Sequence, residues 1–69
     1  MMLPDTFRAL ADPTRRAVFE RLAASEMSVS QLTARFEVSQ PAISQHLATL
    51  KAAGLVTERR EGRFAYKEE

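Results

Sequence analysis

The chain has 69 residues, 45% of them apolar and 28% charged, with a formal net charge of +1 and no cysteine. That length holds one small core and excludes a TIM barrel or a dinucleotide-binding enzyme, and the missing cysteines exclude a disulfide framework, a thiolate metal site and a cysteine nucleophile. No apolar run approaches the ~18–20 residues of a membrane span, and Met1-Met2-Leu3-Pro4-Asp5 lacks the charged and apolar regions of a signal peptide, so a cytoplasmic chain is expected.

Leu3 to Ala11 is expected to form a short helix, with Asp5 able to cap it and Phe7, Leu10 and Ala11 on one apolar stripe. Asp12-Pro13 interrupts it. Asp12 can cap the next helix, and Pro13 suits a first position that needs no amide donor. This second helix runs to about Ser25 and turns Val18, Phe19, Leu22 and Ala23 inward at spacings of three and four. Met27-Ser28-Val29 leans towards strand. Ser30 then caps a third helix through Phe36, with Val29, Leu32 and Phe36 on its apolar side. Glu37-Val38 separates it from Ser39, the cap of a fourth helix from Gln40 to about Ala53. Pro41 is tolerated there because it falls in the first turn. Gly54 ends that helix as a left-handed cap residue would. Beyond it, Leu55–Arg60 and Arg63–Lys67 are short strands joined by a two-residue Glu61-Gly62 turn.

This order makes an α+β, mostly helical fold: a winged helix-turn-helix of four helices followed by a two-stranded β-hairpin wing. Residues 1–69 form one domain on this reading, with the helix-turn-helix at 30–54 and the wing at 55–67. Charge is uneven along it. Residues 1–38 carry five arginines and five acids, whereas residues 39–67 carry five basic residues against Glu58 and Glu61, a net +3 that favours a polyanion. Glu68 and Glu69 cancel part of that excess.

Placing residues 100° apart on the fourth helix puts Ile43, Leu47 and Leu50 on the packing side. Ser44, Gln45 and Ala48 point away, flanked by Pro41 and Thr49. Such a surface suits entry into a major groove. Gln can pair bidentately with adenine, Ser can donate or accept, and small residues allow close approach. No acid lies between Ser39 and Val56. Arg59, Arg60 and Arg63 cluster around the hairpin turn, where they can touch phosphates or the adjacent minor groove. Each feature also has a purely structural explanation. The polar face of a surface helix is ordinarily solvated, and so is a charged turn whose arginines Glu58 and Glu61 partly neutralise. Thr33 and Arg35 fit a phosphate contact or plain surface equally well. His46 borders the apolar stripe and suits helix packing or a phosphate contact. As the only histidine, it cannot build a histidine metal cluster.

The stretches FRALADPTRR (7–16), SQPAISQHL (39–47), LKAAGLV (50–56) and RREGR (59–63) resemble, in that order, the ArsR family of bacterial winged helix-turn-helix repressors. The ALADPTRR opening is most similar to the non-metal, autorepressor-like branch. The resemblance implies a homodimer on a roughly palindromic operator in double-stranded DNA. It places base reading on Gln40, Pro41, Ser44 and Gln45, with Pro41 limited to apolar contact. Ser39 becomes a cap and phosphate donor, and Arg60 and Arg63 fall in the wing. From the residues themselves, His46, Thr49 and Arg59 join these three as expected contacts to the DNA backbone. Two departures matter. The stretch Val29–Ala34, which carries metal-binding cysteines in many family members, has none, so no metal or other cofactor is expected. Family members also continue into a helix after the wing that helps form the dimer. The chain is therefore expected to lack that helix, leaving Leu3, Phe7 and Leu10 as dimer-interface candidates.

The leading expectation is a sequence-specific transcriptional regulator, a repressor of the bacterial cytoplasm and nucleoid, without enzymatic activity. No nucleophile–base pair or glycine-rich phosphate loop stands out. The alternative is a winged-helix protein-interaction module that does not bind DNA. The uncharged, small-residue face around Ser44 and Gln45 distinguishes the two, because a protein interface favours aromatic or aliphatic anchors there.

Overall fold

Capping side chains set the helix boundaries. In the computed structural model, which describes residues 5–61 and 63–68 with side chains for all of these except 60, 61 and 63–65, the order is α1 (Asp5–Ala11), α2 (Pro13–Ala24), α3 (Val29–Arg35), α4 (Gln40–Ala52), β1 (Val56–Glu61) and β2 (Arg63–Glu68). Asp5 sits in the first turn of α1, where its charge complements the helix dipole. Asp12 caps α2, its carboxylate accepting from Arg15 N at 2.9 Å, with Pro13 in the first turn. Ser39 caps α4, its hydroxyl oxygen accepting from Ala42 N at 3.3 Å.

The start of α3 differs from expectation. Ser28, not Ser30, is the cap. Its hydroxyl accepts from Gln31 N at 3.1 Å while its own N–H donates to Gln31 Oε1 at 2.9 Å. This reciprocal box needs Glu or Gln three residues after the cap. Ser30 has Thr33 there instead, whose hydroxyl donates to the Val29 carbonyl at 2.8 Å. The helix-turn-helix therefore begins at residue 29 rather than 30.

The end of α4 follows the expected device. Gly54 adopts φ 76°. Its N–H donates to the Lys51 carbonyl at 3.0 Å, and Leu55 N–H donates to the Leu50 carbonyl at 3.0 Å. These are the paired bonds of a Schellman turn, which satisfy carbonyls the helix leaves open.

Every element contributes to one core. Ala9, Val18, Leu22, Met27, Leu32, Ile43, Leu47, Leu50 and Val56 are buried, with Phe19, Val29, Phe36 and Tyr66 among the half-buried side chains packed on it. Two expectations about facing are corrected. Ala23 is exposed, because it lies one residue beyond the inward row of Val18 and Leu22. On α1 the buried residue is Ala9, while Phe7 is 61% exposed and Ala11 is also exposed. One residue separates α1 from α2, and Arg15 clamps them by donating from Nη2 to the Arg8 carbonyl at 3.0 Å and from Nε to the Ala9 carbonyl. So close a crossing admits a small side chain and turns Phe7 outward.

β1 and β2 are antiparallel, pairing Arg59 with Ala65, Arg60 with Phe64 and Glu61 with Arg63. A two-residue turn at Glu61-Gly62 would instead pair Arg60 with Arg63. The register is shifted by one residue, which changes which positions face each other across the hairpin. Met27, expected to lean towards strand, forms a single antiparallel bridge on β2: its N–H donates to the Tyr66 carbonyl at 2.9 Å, and its carbonyl accepts from Tyr66 N–H at 2.7 Å. Among the described residues, no helix is long and apolar enough to cross a membrane.

Candidate nucleic-acid interface

The packing of α4 determines what it presents. Ile43, Leu47 and Leu50 are buried against α2, α3 and β1. Gln40, Pro41, Ser44, Gln45 and Ala48 are all exposed, as the helical spacing requires. The outward face is uncharged up to Lys51. At its head, Ser39 is exposed and caps the helix with an oxygen lone pair, which leaves the hydroxyl proton available to an acceptor outside. The positive end of the helix dipole adds to that preference for an anion.

His46 lies at the edge of this face. The residue is half-buried, and its Nδ1 is buried with no hydrogen-bond partner. The ring lies close enough to Asp12 to help hold that carboxyl below its ordinary value; the larger cause is the bond from Arg15 N. Thr49 is half-buried further along α4. Its hydroxyl donates to the Gln45 carbonyl at 3.1 Å, and it faces an open cleft lined also by Asp5, Arg8 and Arg15. Exposed Arg35 and half-buried Thr33 lie on α3, the latter with its hydroxyl proton committed to its own helix.

The wing is tied to the body by charged contacts that sequence reasoning did not find. Arg59 Nη2 donates to Glu26 Oε2 at 2.8 Å. Glu58, expected to shield the wing arginines, has a side chain only 9% exposed. Its carboxylate accepts from Lys51 Nζ at 3.0 Å and from the Tyr66 hydroxyl at 3.1 Å. The Glu58–Tyr66 pair was detectable only with the correct hairpin register, and Arg59–Glu26 only with the tertiary fold. Arg60 and Arg63 lie on the strands flanking residue 62, but their side chains fall outside the described residues. Leu3 falls outside them as well. Of the other α1 candidates, Phe7 is exposed and Leu10 is half-buried against the core. Among the described residues, no group of three or more His, Asp or Glu side chains is arranged to hold a metal ion.

A family of helix-turn-helix domains matches the chain over residues 10–59. The chain is 37% identical over 62 residues to the transcriptional repressor SdpR of Bacillus subtilis, covering 90% of this chain and 69% of that protein. It is 52% identical over 60 residues to the HTH-type transcriptional regulator Rv2034 of Mycobacterium tuberculosis, covering 86% of this chain and 56% of that protein. Among solved structures, an ArsR-like transcriptional regulator from Rhodococcus superposes with a TM-score of 0.88 at 36% identity, covering 94% of this chain and 62% of that one. Reduced HlyU from Vibrio cholerae superposes with a TM-score of 0.87 at 38% identity, covering 94% of this chain and 70% of that one. The chain thus spans between about half and about two thirds of the length of the curated relatives it matches.

Proposed function

The chain belongs to the ArsR-like family of helix-turn-helix transcriptional regulators, and from that premise we propose that it is a repressor that binds an inverted-repeat operator as a homodimer. The observation that carries this reading is the outward face of α4. Gln40, Pro41, Ser44, Gln45 and Ala48 are exposed, uncharged and modest in size on a helix whose apolar side is fully committed to the core.

In this mechanism α4 enters the major groove. Gln40, Ser44 and Gln45 read base edges by hydrogen bonding, and Pro41 offers apolar contact. Ser39 donates to a phosphate at the head of the helix. Arg60 and Arg63 in the wing, with His46 beside the recognition face, supply further backbone contacts. Thr49 joins them by giving up its bond to the Gln45 carbonyl, and Arg59 joins them through guanidinium donors beyond the one engaged by Glu26. The phosphate contacts provide salt-dependent affinity, and the base contacts provide discrimination.

In this reading the dimer contact is made by α1. Phe7 is the large apolar side chain left exposed among the described residues, and Leu10 lies one turn further on. With Leu3, which lies outside the described residues, they are the candidates for the apolar side of a self-complementary contact. Two recognition helices held about 34–36 Å apart would then occupy successive major grooves and occlude polymerase. Residues 1–69 act as one winged helix-turn-helix domain in the cytoplasm, bound to the nucleoid, and no metal or cofactor takes part.

Selection from a random duplex pool at low and moderate salt, with light scattering on the same sample, tests this reading. Enrichment of an inverted repeat by a dimer is the expected result. A proven dimer that enriches nothing would favour the protein-interaction module instead.

A further inference from the structure

Three elements meet at Glu58. Its carboxylate lies on β1, nine-tenths buried, with one oxygen accepting from Lys51 Nζ in the last turn of α4 at 3.0 Å. The other accepts from the hydroxyl of Tyr66, its partner across the hairpin, at 3.1 Å. Tyr66 is itself held by two backbone bonds to Met27 in the α2–α3 connection. A carboxylate taken this far out of water is costly unless both oxygens are engaged. Here they are, by a cation and a phenol, so the position of the group is narrowly defined.

Lys51 and Glu58 also straddle the joint between α4 and the wing. That joint is the left-handed turn at Gly54. A single glycine turn fixes direction weakly, because its backbone has the widest conformational range. The Lys51–Glu58 contact closes the joint into a ring.

We propose that Glu58 is a positioning residue: by gripping Lys51 and Tyr66 across the Gly54 joint, it sets the angle between the recognition helix and the wing. The angle determines whether the wing arginines meet the DNA backbone when α4 is seated in the groove. That consequence for DNA rests on the function proposed above; the angle itself does not.

The test reads the angle directly. The chain has no cysteine, so spin labels can be placed at Ala48→Cys on α4 and Lys67→Cys on β2, both exposed. Pulsed dipolar spectroscopy should give one narrow distance distribution for the otherwise wild-type chain. Glu58→Ala and Lys51→Ala should broaden it alike, and the double variant should broaden it no further. Glu58→Gln should keep it narrow, because the amide still accepts from Lys51 and pairs with Tyr66. A role in packing alone would lower Tm in Glu58→Ala and leave the distribution unchanged, which overturns the proposal. If Glu58→Ala does not fold, Lys51→Ala decides, since its side chain is half-exposed.

A second readout uses a roughly 30-bp random-sequence duplex, on which Arg63→Ala should lower the slope of log affinity against log salt by about one in the wild-type background. In Glu58→Ala that change should vanish. An equal change in both backgrounds overturns the coupling to DNA. A wild-type chain that binds no duplex would overturn the function above, and the label distances would then decide this proposal alone.

Discussion

Arg59 Nη2 meets a Glu26 carboxylate oxygen at 2.8 Å, joining the wing to the α2–α3 connection across 33 residues of sequence. The Arg59 side chain is 56% exposed and that of Glu26 29% exposed. It is therefore a solvated pair, of the kind worth about 0.2–1 kcal/mol. A phosphate approaching Arg59 competes with Glu26 for its charge.

Glu26→Gln should consequently strengthen binding to duplex DNA by up to about five-fold at low ionic strength. The gain should shrink as salt rises, because a more available cation increases counterion release. Fluorescence anisotropy across a salt series checks this. Equal affinities for the variant and the wild type at every salt concentration would mean that Arg59 stays with Glu26 and is a strut of the wing.

Gln45 and Arg63 should separate by the kind of loss they cause. Gln45→Ala should remove about 1–3 kcal/mol of preference for the selected operator over random duplex, leaving random binding nearly unchanged. Arg63→Ala should weaken both by similar factors. Competition binding with the two duplexes provides the measurement. Identical behaviour of the two variants would contradict the division of base and backbone roles.

Gly54→Ala isolates a backbone effect. A Cβ at this position meets no heavy atom within 4 Å, so the substitution creates no clash. What remains is the cost of φ 76° for an L-residue, about 1–2 kcal/mol. For a domain of this size each kcal/mol should lower Tm by roughly 4–8 °C. Gly54→Asn should lose less, since asparagine tolerates the left-handed region better. Thermal unfolding followed by circular dichroism gives both values.

Asp12 predicts an acid limb of stability. Its carboxyl lies below the ordinary value of 3.8, chiefly because it accepts from Arg15 N, with His46 a smaller favourable influence and desolvation opposing. A carboxyl lowered in the folded state stabilises fully above its unfolded pKa, and that contribution is lost as pH falls through the folded pKa. Urea midpoints should therefore drop below about pH 4 in the wild type. Asp12→Asn keeps a capping oxygen without the titration, so its drop should be smaller. Parallel curves for the two proteins would assign the acid sensitivity to other carboxylates.

Much of this architecture could be read from punctuation. Asp12-Pro13, Ser39 and Gly54 mark real helix ends, and the row Ile43, Leu47, Leu50 gives the orientation of α4 directly. The Ser28 cap was also present in the sequence as Ser-x-x-Gln, but Ser30 competes with it two residues on. Ala9 was obscured because periodicity ranks residues by hydrophobicity, whereas a close helix crossing selects for smallness. The wing was least legible. Its register depends on turn geometry, and a one-residue shift changes every cross-strand pair. Glu58 looked like a surface acid because Lys51 and Tyr66, which engage its carboxylate, are brought to it by the fold and not by sequence proximity.

The Met27–Tyr66 bridge has a consequence for the order of events during synthesis. It encloses α3 and α4 within one loop of chain, fastened at a residue twelve positions beyond Gly54. Closing a loop of that length carries an entropic cost that local helix formation does not. A nascent chain that has just released α4 from the ribosome thus lacks one of the contacts that hold the wing to the body. The fastening of β2 to the α2–α3 connection is therefore among the last long-range contacts that a growing chain can make.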